Sequence, residues 1–275
     1  MGGFLASRVG AFRWEIFSLC VLTTIFLQIL SNLANDYGDS IHGADNINRK
    51  GPSRAVQSGA IRPEHMRAAI IVFTVLSFAA GIILLFVSFG WQWRAILVFL
   101  ILGLLSIGAA VTYTVGRKPY GYMGLGDFSV LVFFGLVGVM GSYYLFTQDF
   151  SWPEMLPALS TGLLSVAVLN VNNIRDIESD RMAGKYSIPV RVGKGWAIVY
   201  HWTLLGCSVL FAVVYTVVEY HAPWQFLFLL AVPLFIRNGI AVATRPPEVL
   251  DPYLKQMAIS ALLFVLLFGT GLIVS

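Results

Sequence analysis

The chain has 275 residues, of which 57% are hydrophobic and 12% charged, with a mean hydropathy of +0.78. A soluble domain carries roughly 25% charged residues, so a soluble globular protein is excluded and an integral membrane protein is implied. The net charge of +4 does not point to nucleic acid, because the lysines and arginines lie between apolar runs and not in one stripe.

The chain opens on Met1–Ser7, MGGFLAS, which is apolar but too short to span and reads as the tail of a helix. Eight longer apolar segments follow, over 14–34, 66–88, 95–115, 127–147, 155–173, 197–218, 224–243 and 256–274. They predict an all-α, multi-pass transmembrane helical bundle, read as a single domain over residues 1–275. Cys20 and Cys207 sit inside apolar runs, as small buried hydrophobes and not as a disulfide or a metal site. The four histidines show no ligand spacing.

The connecting loops alternate in charge. Loops 35–65, 116–126, 174–196 and 244–255, with adjoining helix ends, hold 15 of the 18 Lys and Arg; the other set holds only Arg8, Arg13 and Arg94. The positive-inside rule makes the first set cytoplasmic. Eight spans then place both termini outside, which leaves Arg8 and Arg13 on the outer side, against that rule.

Two acidic clusters lie in the basic loops. The first, NLANDYGDSIHGAD, holds Asn32, Asn35, Asp36, Asp39 and Asp45 at the mouth of the first span. Asn32 and Asp36, and Asp36 and Asp39, are helical neighbours if the helix persists. The second, NVNNIRDIESD, holds Asn172, Asn173, Asp176, Glu178 and Asp180. Asn172, Asp176 and Asp180 are spaced four apart and predict a stack along one helix face. Carboxylates this close repel at a dry boundary and call for a cation. Carboxylate and amide oxygens without His or Cys suit a hard divalent ion, Mg²⁺ first, which is held by a few carboxylates together with phosphate oxygens. The alternative is a set of ordinary solvated loop charges.

Arg175, Arg181, Lys185, Arg191 and Lys194 surround the second cluster, and Arg117 and Lys118 lie in TVGRKPYGYMGLGD between the two. For Arg117, Lys118 and Lys185, phosphate contact and positive-inside topology remain alternatives. Carboxylates for a metal beside cations for oxygens describe a diphosphate site. The glycines of loop 116–126 match no nucleotide-binding fingerprint and mark a structured turn. Tyr113, Tyr120 and Tyr122 read as interfacial anchors, and Asp127 as an interfacial structural residue with substrate positioning as the alternative.

Two Asp-rich motifs at helix ends resemble the UbiA superfamily of intramembrane prenyltransferases. The stretches LQILSNLANDYGDSIHGAD, YTVGRKPYGYMGLGDFSVLVFFG and LNVNNIRDIESDRMAGKYSIPVRVG are similar to its MenA branch, which acts on 1,4-dihydroxy-2-naphthoate in menaquinone biosynthesis. The resemblance implies Mg²⁺-dependent transfer from a polyprenyl diphosphate to that ring, with loss of diphosphate and CO₂, in a bacterial inner membrane. It implies catalytic roles for Asp36, Asp39, Asp176, Asp180 and Lys185. Asp45 joins the four aspartates as a metal ligand. The substrate-binding set is Asn32, Asn35, Tyr113, Arg117, Lys118, Asn172, Asn173 and Arg191. The family motif NDxxDxxxD is met by Asn35, Asp36 and Asp39, but position 43 is Gly and the acid stands at Asp45. The family has nine helices where eight are read here, so MGGFLAS is expected to be the end of its first helix. Other readings are a UbiA-type transferase for 4-hydroxybenzoate or homogentisate, a CDP-alcohol phosphotransferase, whose compact DG-containing motif is absent, and a cation transporter. Transporters place such acids near mid-membrane and show inverted repeats, neither of which is seen here.

Overall fold

The computed structural model describes residues 1–42, 56 and 58–275. Asp45 therefore lies outside the described residues. A short helix α1 (Gly2–Arg8) precedes α2 (Trp14–Ile41), α3 (Pro63–Phe89), α4 (Trp93–Thr112) and α5 (Gly126–Thr147). Then come α6 (Met155–Arg175), a single polar turn α7 (Ile177–Met182), α8 (Ile188–Val218), α9 (Pro223–Thr244) and α10 (Asp251–Ile273). Among the described residues there are no strands. Eight of the helices are long and apolar enough to cross a membrane, as the sequence predicts. In lipid each backbone N–H and C=O must be satisfied within its own segment, and these apolar runs leave the helix as the only solution. The polar ends differ most from expectation. The first span runs on past residue 34 to Ile41, and α8 begins at Ile188 with a kink at Gly193, whose φ is +80°.

The chain forms two compact units. One comprises Arg13–Gly126 and Glu178–Ser187; the other comprises Met1–Phe12, Asp127–Ile177 and Ile188–Ser275.

In the first unit α2 packs on α3 and α4, with Phe26 edge-on to Phe73. The face of α2 near its polar end is drawn tight against the chain leaving α4. Gly38 permits this, because a Cβ there would lie 2.6 Å from both Cβ and carbonyl oxygen of Thr114. We expect Gly38→Ala to push the two apart and to cost about 1–3 kcal/mol of stability, read as a lower melting temperature in detergent. Ala substituted at the exposed Asn32, two turns back, serves as the neutral control.

In the second unit α6 is the central helix and packs on α5, α8 and α10. Gly135 of α5 and Gly162 of α6 meet so closely that a Cβ on either would fall 2.9 Å from the opposing Cα, the small-residue contact typical of membrane helices. Tyr215, Phe228, Phe264 and Phe268 fill the apolar core. Buried polar side chains are bonded across helices: Ser160 to Ser208, and His201 to Asn238. The short α1 packs on α5 and α10.

Candidate active site

The first acidic motif keeps helical geometry to its end, since α2 continues through Ile41. Asn32, Asp36 and Asp39 are thus successive neighbours on one helix. Asn32 is exposed and accepts from the Gln28 amide at 3.3 Å. Asn35 and Asp36 are half-buried, and Asp39 is buried. The Thr114 hydroxyl lies 2.9 Å from the carbonyl of Ala34 and 3.2 Å from Asn35 Oδ1, which ties the motif to the start of loop 116–126.

That loop is built to return a tyrosine to the motif. Pro119, with φ −64°, starts a 3-10 turn over Tyr120–Met123, and Gly124, with φ +77°, closes it in the left-handed region. The turn buries Tyr122. Its hydroxyl donates to Asp39 Oδ1 at 2.8 Å, and its carbonyl accepts from the Tyr186 N–H at 2.9 Å. Lys185 Nζ stands 3.3 Å from Asp180 Oδ1 and 5.9 Å over the Tyr122 ring. Its N–H also donates to the Asp180 carbonyl at 2.8 Å. Asp39, Tyr122, Asp180 and Lys185 are all buried. Three distant stretches therefore meet within one unit, in a cluster of two carboxylates, one ammonium and one phenol. The expectation for Tyr122 was interfacial anchoring; its ring is buried and its hydroxyl is spent on Asp39.

The second motif departs from the expected single helix face. α6 ends at Arg175, Asp176 takes φ −97° and ψ +12°, and the chain restarts as α7. Asn172 and Asp176 share the last turn, with the Asp176 N–H still donating to the Asn172 carbonyl, but Asp180 belongs to a separate turn. The side chain at the break supplies a reason. Arg175 Nε and Nη2 grip both Asp176 oxygens at 2.9 and 2.7 Å, Nη2 reaches Asn172 Oδ1 at 2.9 Å, and Nη1 reaches Asp251 at the start of α10 at 2.8 Å. This bidentate clamp fixes Asp176 where a regular helix would send it elsewhere. Asn173 is buried, and its Oδ1 has no hydrogen-bond partner. The sequence contains no signal that singles out Asp251, since its partner is 76 residues away and found only by folding.

The remaining candidates are placed as follows. Tyr113 is half-buried, edge-on to Tyr120 at 5.4 Å, and its carbonyl accepts from the Gly121 N–H. Arg117, Lys118 and Arg191 are exposed. Asp127 is buried and accepts from the Tyr200 hydroxyl at 3.0 Å. Among the described residues no three His, Cys, Asp or Glu side chains are drawn together as a metal centre. The donor chemistry nonetheless suits a hard cation: carboxylate and amide oxygens only, with the buried Asn173 Oδ1, three residues before Asp176 in the chain, offering an unused acceptor.

Residues 1–248 match the family described as the UbiA prenyltransferase family. The chain belongs to the UbiA prenyltransferase family. It is 45% identical to the 1,4-dihydroxy-2-naphthoate octaprenyltransferase of Haemophilus influenzae, over 99% of this chain and 88% of that protein. It is also 45% identical to the protein of the same name from Escherichia coli, over 100% of this chain and 89% of that one. The Mycobacterium tuberculosis protein of that name is 34% identical over 95% and 86%. The fold is that of the apo UbiA homologue from Aeropyrum pernix, with TM-score 0.70, 18% identity, and 99% of this chain and 96% of that chain covered. As a UbiA prenyltransferase, the chain is a multi-pass membrane enzyme.

Proposed function

We propose that this chain transfers a polyprenyl group from polyprenyl diphosphate to 1,4-dihydroxy-2-naphthoate, releasing diphosphate and CO₂, in the synthesis of demethylmenaquinone. The observation that carries the reading is the buried Asp39–Tyr122–Lys185–Asp180 cluster, which gathers carboxylates and a cation at the polar end of an apolar helix. The near-half identity to relatives named for this reaction supports the choice of ring.

Asp36, Asp39, Asp176 and Asp180 are the proposed Mg²⁺ ligands, with Asp45 as a further one. The chemistry Mg²⁺ supplies when bound is positive charge against the oxygens of the leaving diphosphate. Lys185, held beside Asp180 and over the Tyr122 ring, adds a fixed cation of its own. Arg117 and Lys118, on the exposed side of the loop, give the diphosphate two more. Asn32, Asn35, Tyr113, Asn172, Asn173 and Arg191 complete the substrate-contacting set. The apolar spans house the polyprenyl tail and keep water from the allylic cation formed as the C–O bond breaks. The ring carbon that bears the carboxylate attacks that cation, and CO₂ departs in place of a proton. No general base on the protein is then required. The motifs face the cytoplasm across a bacterial inner membrane, following the distribution of Lys and Arg.

Acceptor competition tests this reading. The detergent-solubilised chain receives Mg²⁺, farnesyl diphosphate and equal amounts of 1,4-dihydroxy-2-naphthoate, 4-hydroxybenzoate and homogentisate. Prenylated naphthoquinol, read as the quinone after oxidation by air, is expected to dominate by about 100-fold in kcat/KM, and EDTA to abolish it. Preferential prenylation of another ring would overturn the acceptor while leaving prenyl transfer in place.

A further inference from the structure

The second unit carries a polar cavity at the end of α6 remote from Asp176. It has a volume of about 530 Å³ and is lined by the ends of α1, α6, α8 and α10 and by the α5–α6 connection. Glu154, which lines it, precedes α6, whereas Asp176 follows α6; the helix between them has 21 residues and a length of about 30 Å, one hydrocarbon thickness. The cavity is thus a separate site at the opposite membrane interface.

Its walls are prebuilt. Arg8 donates to the Tyr215 hydroxyl at 2.8 Å and to Glu219 Oε2 at 2.8 Å, and it lies 3.0 Å from His221 Nε2, which must accept because a guanidinium only donates. Gln225 fixes the turn that carries Glu219 and His221. Its Oε1 accepts from the N–H groups of His221 and Ala222, and its Nε2 donates to the Glu219 carbonyl. The Arg8 cation is therefore committed. Glu154 is committed on one side only: it is 5% exposed and shares a hydrogen bond with the Tyr215 hydroxyl, while its Oε2 has no hydrogen-bond partner. Burial lifts the Glu154 carboxyl above the usual carboxylate range and the charge of Glu219 adds to this, although the Tyr215 hydroxyl and Arg8 oppose it. A buried acceptor on a side chain that lines a polar cavity asks for a donor bearing positive charge. A quaternary ammonium has no N–H to give. A primary ammonium does.

We propose that this cavity binds a primary ammonium group with Glu154 as its carboxylate partner, and that the ethanolamine headgroup of a membrane phospholipid supplies it. The apolar Val9, Leu272 and Ile273 beside the polar groups suit the remainder of a lipid, and the Ser151 hydroxyl suits its phosphate. Free ethanolamine offers the same ammonium without the lipid.

The test is thermal stability of the full chain in detergent with added dioleoylphosphatidylethanolamine, its mono- and dimethylated forms, dioleoylphosphatidylcholine, or free ethanolamine. The ethanolamine lipid is expected to raise the melting temperature by about 4 °C over the choline lipid, with the gain falling as methyl groups replace N–H. Glu154→Gln is expected to erase the difference and to leave prenyl transfer unchanged. A shift with free ethanolamine alone supports the ammonium site and assigns its source as a soluble amine. Equal shifts for ethanolamine and choline lipids in the unaltered chain, with no effect of free ethanolamine, would overturn the proposal. So would a difference that survives in Glu154→Gln. The methylation series needs no variant, so it decides the matter even if Glu154→Gln fails to fold.

Discussion

Asp39→Asn is expected to lower kcat/KM for prenyl transfer by roughly 10²–10³-fold while leaving the melting temperature within a degree or two. The amide is isosteric with the carboxylate and can still accept from the Tyr122 hydroxyl, which donates to Asp39 at 2.8 Å in the unaltered chain, so packing is preserved. What is lost is one negative charge in a buried position. On the proposed reading that charge holds the metal against which diphosphate develops its own charge, and a low-dielectric setting magnifies the loss. Tyr122→Phe provides the contrast. It removes one charge-assisted hydrogen bond but keeps the carboxylate, and a loss of about tenfold is expected. If Asp39→Asn and Tyr122→Phe cost the same, Asp39 acts by orienting the loop and not by its charge. Steady-state rates over a range of Mg²⁺ concentrations separate the two, because only loss of a ligand raises the Mg²⁺ required.

The second large effect is on stability. Arg175→Met is expected to cost about 3–5 kcal/mol, because it strands the Asp176 carboxylate in a buried place without its cation. The Arg175 and Asp176 side chains are only 3% and 6% exposed, so water cannot replace the guanidinium. Asp251, 26% exposed, touches only one arm of the same guanidinium. Asp251→Asn keeps a hydrogen-bond acceptor and is expected to cost less than about 1 kcal/mol. Thermal unfolding in detergent reads both. A small effect for Arg175→Met would mean that Asp176 is not held by the clamp, and the break at the end of α6 would need another cause.

The sequence made the bundle legible because lipid leaves the apolar runs few options. Each of the eight expected spans is a helix, and the errors lie where a span meets polar sequence. The end of α2 was underestimated because Asn35, Asp36 and Asp39 lower the apolar signal while the helix continues through them. The end of α6 was overestimated because spacing alone favours one face through Asp180, whereas the Arg175 clamp stops the helix at Asp176. The acidic motifs were readable from residue types and spacing. Their partners were not: Tyr122 looks like any interfacial tyrosine until the Pro119 turn buries it against Asp39, and Asp251 has no local mark at all. The cavity at the other end of α6 was equally hidden, since Arg8, Glu154, Glu219 and His221 are scattered over more than 200 residues.

The most direct test of the central claim uses 1,4-dihydroxy-2-naphthoate labelled at its carboxyl carbon. The purified chain is given this acceptor, farnesyl diphosphate and Mg²⁺, and labelled CO₂ is counted against prenylated naphthoquinol. The account predicts the two in equal amounts, both abolished by EDTA and both strongly reduced in Asp39→Asn. Prenylated product that retains the label would contradict the decarboxylative step, and release of neither product from any aromatic acceptor would contradict prenyl transfer itself.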